Sequence, residues 1–288
     1  MTSDPPIRQL LAPNPSPLTG QGTNTWLVGA TDLVVIDPGP QDRGHLDAIL
    51  RAVGPGQRIS HVVVTHAHLD HSALARPLSA ATGAAIHAFG TARDGRSPRM
   101  DRLAPSLSAQ GEGLDLHFHP DHRLADGQTL SGPDWSLTAL HTPGHLGGHL
   151  SLALGDILFS GDHVMGWSTT IVSPPDGDMA DYMASLDRLA AGHWRRFLPG
   201  HGDTITDPAA RLAELAAHRR QREAQILLAL QHGATHIPEL TRRVYLGTPA
   251  QLLPAAERNV LAHLIDLEAR NLVSAAPDLR PDARFSRP

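Results

Sequence analysis

The sequence predicts an α/β domain followed by a small helical module, and three observations carry that prediction. Short apolar, strand-like runs recur along the first two thirds of the chain, each passing at once into a polar loop bearing His, Gly or Asp. Helical stretches lie between those runs, the interleaving expected of an α/β fold. From about Asp207 onward the pattern becomes helical throughout.

Residues 26–37 (WLVGATDLVVID) read as two strands joined by a Gly-containing turn, a hairpin signal. The stretch from His45 has helical spacing and ends in Gly54. His61–Thr65 (HVVVT) is a strand that runs into HAHLDH, with a helix expected over Ser72–Thr82. Ser136–Leu140 runs into HTPGH, Ile157–Ser160 into GDH and Arg196–Leu198 into PGHG, with a helix over Met179–Ala191. Beyond these come a long, Arg-rich amphipathic helix (Pro208–His232) and two further helical patterns, Ile237–Tyr245 and Pro254–Asn271. The tail, Asp278–Pro288, reads as loosely ordered. Three helices in such a short stretch suggest a helix-turn-helix or winged-helix module, so the chain divides into residues 1–207 and 208–288. Charge divides near the same place: residues 1–208 hold 13 Arg against 21 acids, and 209–288 hold 11 Arg against 8.

At 288 residues with 41% apolar content, the chain can bury a sizeable core. A net charge of −5 argues against a protein devoted to nucleic acid. The absence of Cys excludes disulfides and thiolate ligands. Neither a signal peptide nor an apolar stretch of roughly 18 residues is visible, so a cytoplasmic protein with no membrane partner is expected. All 24 basic residues are Arg, from which no function follows, whereas 19 His supply many potential metal ligands or acid–base groups.

The string His66-Ala67-His68-Leu69-Asp70-His71 packs four ligand-type side chains into six residues. They crowd a single tetrahedral ion; two His on one ion and Asp plus His on another relieve that crowding. The same pattern occurs again at His117-Phe118-His119-Pro120-Asp121-His122. Context separates the copies. The first follows the buried-strand signature VVVT and lies on a loop at a strand end. The second sits in Leu114–Leu124, where alternating apolar residues read as a half-exposed strand turning His117 and His119 to solvent. Three further strand ends offer ligands, each after a Gly that lets the backbone bend and approach closely: His145, Asp162 and His201. Strand ends on one edge of a sheet converge in space. His149 and His163 are neighbours of these ligands, and His141 is a weaker candidate.

The set H-x-H-x-D-H, T-P-G-H, G-D and P-G-H resembles the metallo-β-lactamase superfamily, as do residues 23–29, Val35–Gly39 and Gly161–Thr170. Within it the chain is most similar to the β-lactamase-like protein 2 group, whose members carry a winged-helix-like C-terminal region. The resemblance implies a four-layer αββα sandwich with the metals at one edge of the two sheets. It implies that His66, His68 and His145 hold the first ion and Asp70, His71 and His201 the second, with Asp162 bridging them. Lactam-cleaving members lack a bridging Asp at the place matching Asp162, which argues against antibiotic cleavage.

Two ions sharing a water would lower its pKa toward 7 and supply a bridging hydroxide. Asp70 would orient that nucleophile and accept its proton. His/Asp ligands suit two divalent ions, Zn2+ foremost, with Fe or Mn acceptable. The first expectation is a zinc-dependent hydrolase of a small ester, thioester or lactone, with Asn24, His163 and the loop Trp167–Thr170 facing substrate. An alternative is an endoribonuclease acting on single-stranded RNA drawn by the basic module. A third is a metal-sensing helix-turn-helix regulator without catalysis.

Overall fold

The computed structural model describes residues 4–107 and 113–288. Strands β1 (Ile7–Leu11), β2 (Asn24–Val28), β3 (Asp32–Ile36), β4 (Arg58–Val63), β5 (Ala85–Ala88) and β6 (His122–Arg123) pair in that order in one sheet. In a second sheet β7 (Thr129–Ser131), β8 (Ser136–His141), β9 (Leu150–Leu154), β10 (Ile157–Gly161) and β11 (Arg196–Pro199) are also neighbours in sequence order. The helices of this part are α1 (Arg43–Arg51), α2 (Leu69–Ser72), α3 (Ala75–Thr82), α4 (Pro98–Leu103) and α5 (Met179–Ala190).

The four layers follow from side-chain alternation. Val34 and Ile36 of β3 point one way, into a cluster with Leu137, Leu152, Phe159 and Leu198 of the second sheet. Leu33 and Val35 point the other way, against Ile49 of α1 and Leu78 of α3. A strand buried on both faces reads as a continuous apolar run, as DLVVI does. Trp26 and Phe159 meet edge to face at 5.9 Å across the seam between the sheets, a geometry worth about 1 kcal/mol beyond burial. The outer face of the second sheet, with Leu158 and Phe197, is covered by Met179, Tyr182 and Leu186 of α5. The predicted αββα sandwich is therefore observed.

The C-terminal region comprises α6 (Pro208–Ala229), α7 (Ile237–Val244), α8 (Leu253–Ala269) and the hairpin β12 (Ser274–Ala276) and β13 (Arg284–Ser286). Asp207 caps α6 by accepting from Ala210 N, and Pro208 occupies its first turn. The tail is not loosely ordered as its composition suggests: β13 buries Phe285 completely and pairs with β12 as a wing. Its three-residue strands are too short to show periodicity. The second histidine string also departs from expectation. It forms turns and loop, with only His122 and Arg123 in a strand, although His117 and His119 are exposed as anticipated. The helix expected over Ser72–Thr82 is broken, so Asp70 and His71 sit in the single turn α2 rather than on the loop. Among the described residues no helix is long and apolar enough to cross a membrane.

Candidate metal centre

The sheet topology brings the ligand-type residues together. β3 and β4 are parallel, and so are β10 and β11. β8 runs in the same direction as β10, since each is antiparallel to β9. The carboxyl ends of these strands meet along one edge of the two sheets, and His66, His145, Asp162 and His201 follow them directly. Ligand atoms of His66, His68 and His145 lie within 4.8 Å of one another, as do those of Asp70, His71 and His201. Asp162 groups with His66 and His71, one from each set. Its Oδ2 is 3.8 Å from His145 Nε2 and 3.3 Å from His201 Nε2, and its Oδ1 is 3.4 Å from His71 Nε2.

Two glycines make the approach possible. Gly161 has φ +49°, and a Cβ there would lie 2.5 Å from His149 Nε2. A Cβ on Gly200 would lie 2.4 Å from Asp162 Oδ1 and 2.7 Å from the His71 ring.

Hydrogen bonds at the far side of each ring set its orientation. His145 Nδ1 donates to Ile171 O at 2.7 Å and His201 Nδ1 to Gly22 O at 3.0 Å. His71 Nδ1 donates to Asp37 Oδ2 at 3.0 Å, and His66 Nδ1 is 2.9 Å from Thr65 Oγ1. Each bond to a carbonyl or carboxylate fixes the tautomer and turns the Nε2 lone pair inward. His145 Nε2 lies 3.0 Å from His68 Nδ1, and His71 Nε2 lies 3.2 Å from His201 Nε2.

The electrostatics divide the cluster. Burial, reinforced by neighbouring imidazoles, pushes His66 well down and His68 to about 3, and burial lowers His145. Burial also opposes protonation of His71 and His201. At His71 it is outweighed by Asp70, Asp162 and Asp37, which raise it well above the usual range. At His201 the charge of Asp162 leads, helped by hydrogen bonds to Asp162 and Asp70, and raises the ring to about 10. The carboxylates respond in kind: burial would raise Asp70 and Asp162, but the facing imidazoles hold both low.

Asp70, His68, His145, Asp162 and His201 line one side of a cavity of about 270 Å³. Pro17, Leu18, Met165 and Ile171 give it apolar walls, and Arg258 of α8 also lines it. A few polar groups in an apolar hollow are the usual form of a small-molecule site.

Not every predicted residue faces this cavity. His163 is fully buried behind it, its ring 4.7 Å from Tyr182, which corrects its expected substrate-facing role. Asn24 is also fully buried and points elsewhere: its amide donates to Pro199 O and Gly202 O, bracing the loop that carries His201. Trp167 is half exposed and covers Gly20 and Gly202 beside the cavity rather than lining it, whereas Ser168, Thr169 and Thr170 of the same loop do line it. His141 is stacked on Phe89 at 4.2 Å, away from the cluster. His149 supports the site, its Nε2 accepting from Asp162 N at 3.2 Å. Asp37 was missed as a supporting residue. Its carboxylate accepts from Thr65 N, Thr65 Oγ1 and the His71 ring. The signal available was its place after the apolar run of β3, beside the strand leading to His66.

Residues 18–201 match the model of the metallo-beta-lactamase superfamily. The chain belongs to that superfamily. Residues 237–281 match a beta-lactamase associated winged helix domain. The superfamily member is 33% identical over 271 residues to a beta-lactamase-like protein 2 homolog of Drosophila melanogaster, covering 91% of this chain and 87% of the relative. It is 29% identical to an atrochrysone carboxyl ACP thioesterase of Aspergillus fumigatus, covering 98% and 84%. A metallo-beta-lactamase family protein from Thermus thermophilus superimposes with a TM-score of 0.77 at 25% identity, covering 98% of each chain.

The residues present fit the metal this superfamily implies. His66 Nε2 and Asp162 Oδ1 are buried atoms without a hydrogen-bond partner, both aimed into the cluster, and such atoms are costly unless a ligand satisfies them. Opposed ring nitrogens at 3.0–3.2 Å and converging carboxylates suit a cation.

Proposed function

We propose that this superfamily member is a dinuclear metal-dependent hydrolase of a small ester, thioester or lactone. The observation that carries the reading is Asp162, one carboxylate placed against both ligand sets on the wall of a small apolar cavity. His66, His68 and His145 would hold one ion, Asp70, His71 and His201 the other, and Asp162 both. Zinc suits these donors, and iron or manganese would be accepted. Such a pair supplies Lewis acidity and a water acidic enough to ionise near neutral pH.

The chain's own residues do the rest. Thr23 Oγ1 donates to Asp70 Oδ2 at 3.3 Å and steadies that carboxylate. Asp70 remains 28% exposed at the cavity, where it can accept a proton from an attacking water. Leu18, Met165 and Ile171 exclude solvent and take the apolar part of an acyl substrate. Thioester cleavage is favoured by likeness to a thioesterase along 98% of this chain. We place the end of the hydrolase domain at residue 207 and the winged-helix-like module at 208–288.

Two observations weigh against the other readings. Arginines of the C-terminal module are engaged locally: Arg242 and Arg243 with Glu239, Arg270 with Glu223 and Asp266, and Arg222 with the Tyr245 ring. Four of the eleven arginines of residues 209–288 are thus already engaged, which reduces the side chains free to track an RNA backbone. Helix α8, which precedes the wing, buries residues on most of its surface and cannot enter a DNA groove as it lies.

The test is turnover of ester, thioester and lactone panels by zinc-loaded protein, with single-stranded RNA assayed on the same preparation. Hydrolysis of an acyl substrate that disappears in His68→Ala is expected. RNA cleavage as the sole His68-dependent activity would overturn the proposal.

A further inference from the structure

Met165, Ser168, Thr170 and Ile171 belong to the segment after β10 that walls the cavity. This segment is outside any strand, and its main-chain groups are met by side chains of the C-terminal helices. Arg211 of α6 donates to Met165 O at 2.9 Å and to Ser168 O at 2.6 Å. Arg219, two turns further along α6, is 1% exposed and donates to Thr170 O. It also donates at 3.2 Å to Asn259 Oδ1 of α8, and its guanidinium lies 5.0 Å from the centre of the Tyr182 ring. The same Asn259 oxygen accepts from Val172 N at 3.1 Å. Between the two anchored residues lies Ile171, whose carbonyl accepts from His145 Nδ1.

We propose that Arg219 and Asn259 are positioning residues for the metal centre. By fixing Thr170 and Val172 from outside the hydrolase sandwich, they fix the Ile171 carbonyl, and through it the tautomer and angle of His145. The inference rests on the hydrolase reading of the site. A buried guanidinium bonded to a carbonyl and an amide oxygen, rather than to a carboxylate, is an expensive way to fill space. An aliphatic side chain would pack at lower cost, but it could not hold Thr170 O. Partners beyond the ligands commonly change metal affinity about 10- to 100-fold when removed.

The test is made on the full chain. Zn2+ affinity is measured by competition with a chromophoric chelator, and the visible spectrum of Co2+-loaded protein is recorded, for wild type, Asn259→Ala, Asn259→Asp and Arg219→Met. We expect Asn259→Ala and Arg219→Met to weaken one of two Zn2+ ions about 10-fold or more and to shift the Co2+ bands. Asn259→Asp keeps the acceptor for Arg219 and Val172 and should restore both readouts. Arg222→Met, on the same helix but bonded within the module, should change neither. If Arg219→Met fails to fold, Asn259→Ala carries the test, because it leaves the bond to Thr170 in place. Variants that match wild type in affinity and spectrum would overturn the inference while leaving the hydrolase reading intact. Wild-type protein that takes up no metal would overturn both.

Discussion

Asp162 reaches His145 of one ligand set and both His71 and His201 of the other. A side chain so shared should control stoichiometry rather than affinity for one ion alone. Asp162→Ala is expected to leave about one ion per chain or fewer in metal analysis; two retained ions would contradict the bridging role. His119→Ala should leave metal content unchanged, because His119 is an exposed residue of the second histidine string. At this scale the ligand-type residues of the cluster were legible and their supports were not. His66, His145, Asp162 and His201 stand at strand ends next to turn-forming residues, a pattern visible along the chain. Asp37, Arg219 and Asn259 act on atoms far away in sequence, and nothing local to them marks the partner. His163 misled for the opposite reason: it adjoins Asp162 in sequence, but the chain turns its ring away from the cavity into the core.

The parallel strands β4, β5 and β6 bring three imidazoles side by side on one sheet. His61 and His87 lie 5.2 Å apart between centroids with their planes at 36°, and His87 and His122 lie 5.0 Å apart at 29°. Among the described residues these three rings do not form a group whose ligand atoms converge. Burial, with His61 and His122 alongside, lowers His87 to about 4. Because that value is below the usual 6.5 of the unfolded chain, protonation favours unfolding. The stability contributed by neutral His87 is fully present above pH 6.5 and is lost as pH falls toward 4, by about 1–2 kcal/mol after solvent screening is allowed for. His87→Leu should therefore lose less Tm than wild type between pH 6.5 and 4.5, by about 3 °C. Equal losses in thermal melts would show that His87 does not carry the acid sensitivity. Among elements, β2, β3, β8 and β10 matched their apolar runs closely. The wing did not, since strands of three residues offer no alternation to read.

At the scale of the molecule, the C-terminal helices complete the core of the hydrolase sandwich. Leu212 and Leu215 of α6 and Ala262 of α8 join the cluster around Leu158 and Phe197, and Arg258 reaches the cavity. Removing residues 208–288 would expose that cluster to water, at a cost of about 2 kcal/mol for each large side chain uncovered. A chain ending at residue 207 is expected to aggregate or to melt without cooperativity in circular dichroism. A monodisperse fragment melting near the full-length Tm would show instead that the sandwich is self-sufficient.

The α/β class and the ligand-type residues at the ends of β4, β8, β10 and β11 were determined by the sequence alone. Apolar periodicity and turn residues act within a few positions of one another, so they can be read along the chain. Which ring nitrogen faces the cluster, which neighbouring His is left behind it, and how the winged module grips residues 165–172 were decided only by the tertiary structure. Those outcomes depend on contacts between residues up to 179 positions apart, and their hydrogen-bond partners are largely main-chain carbonyls, which every residue carries and no sequence pattern marks.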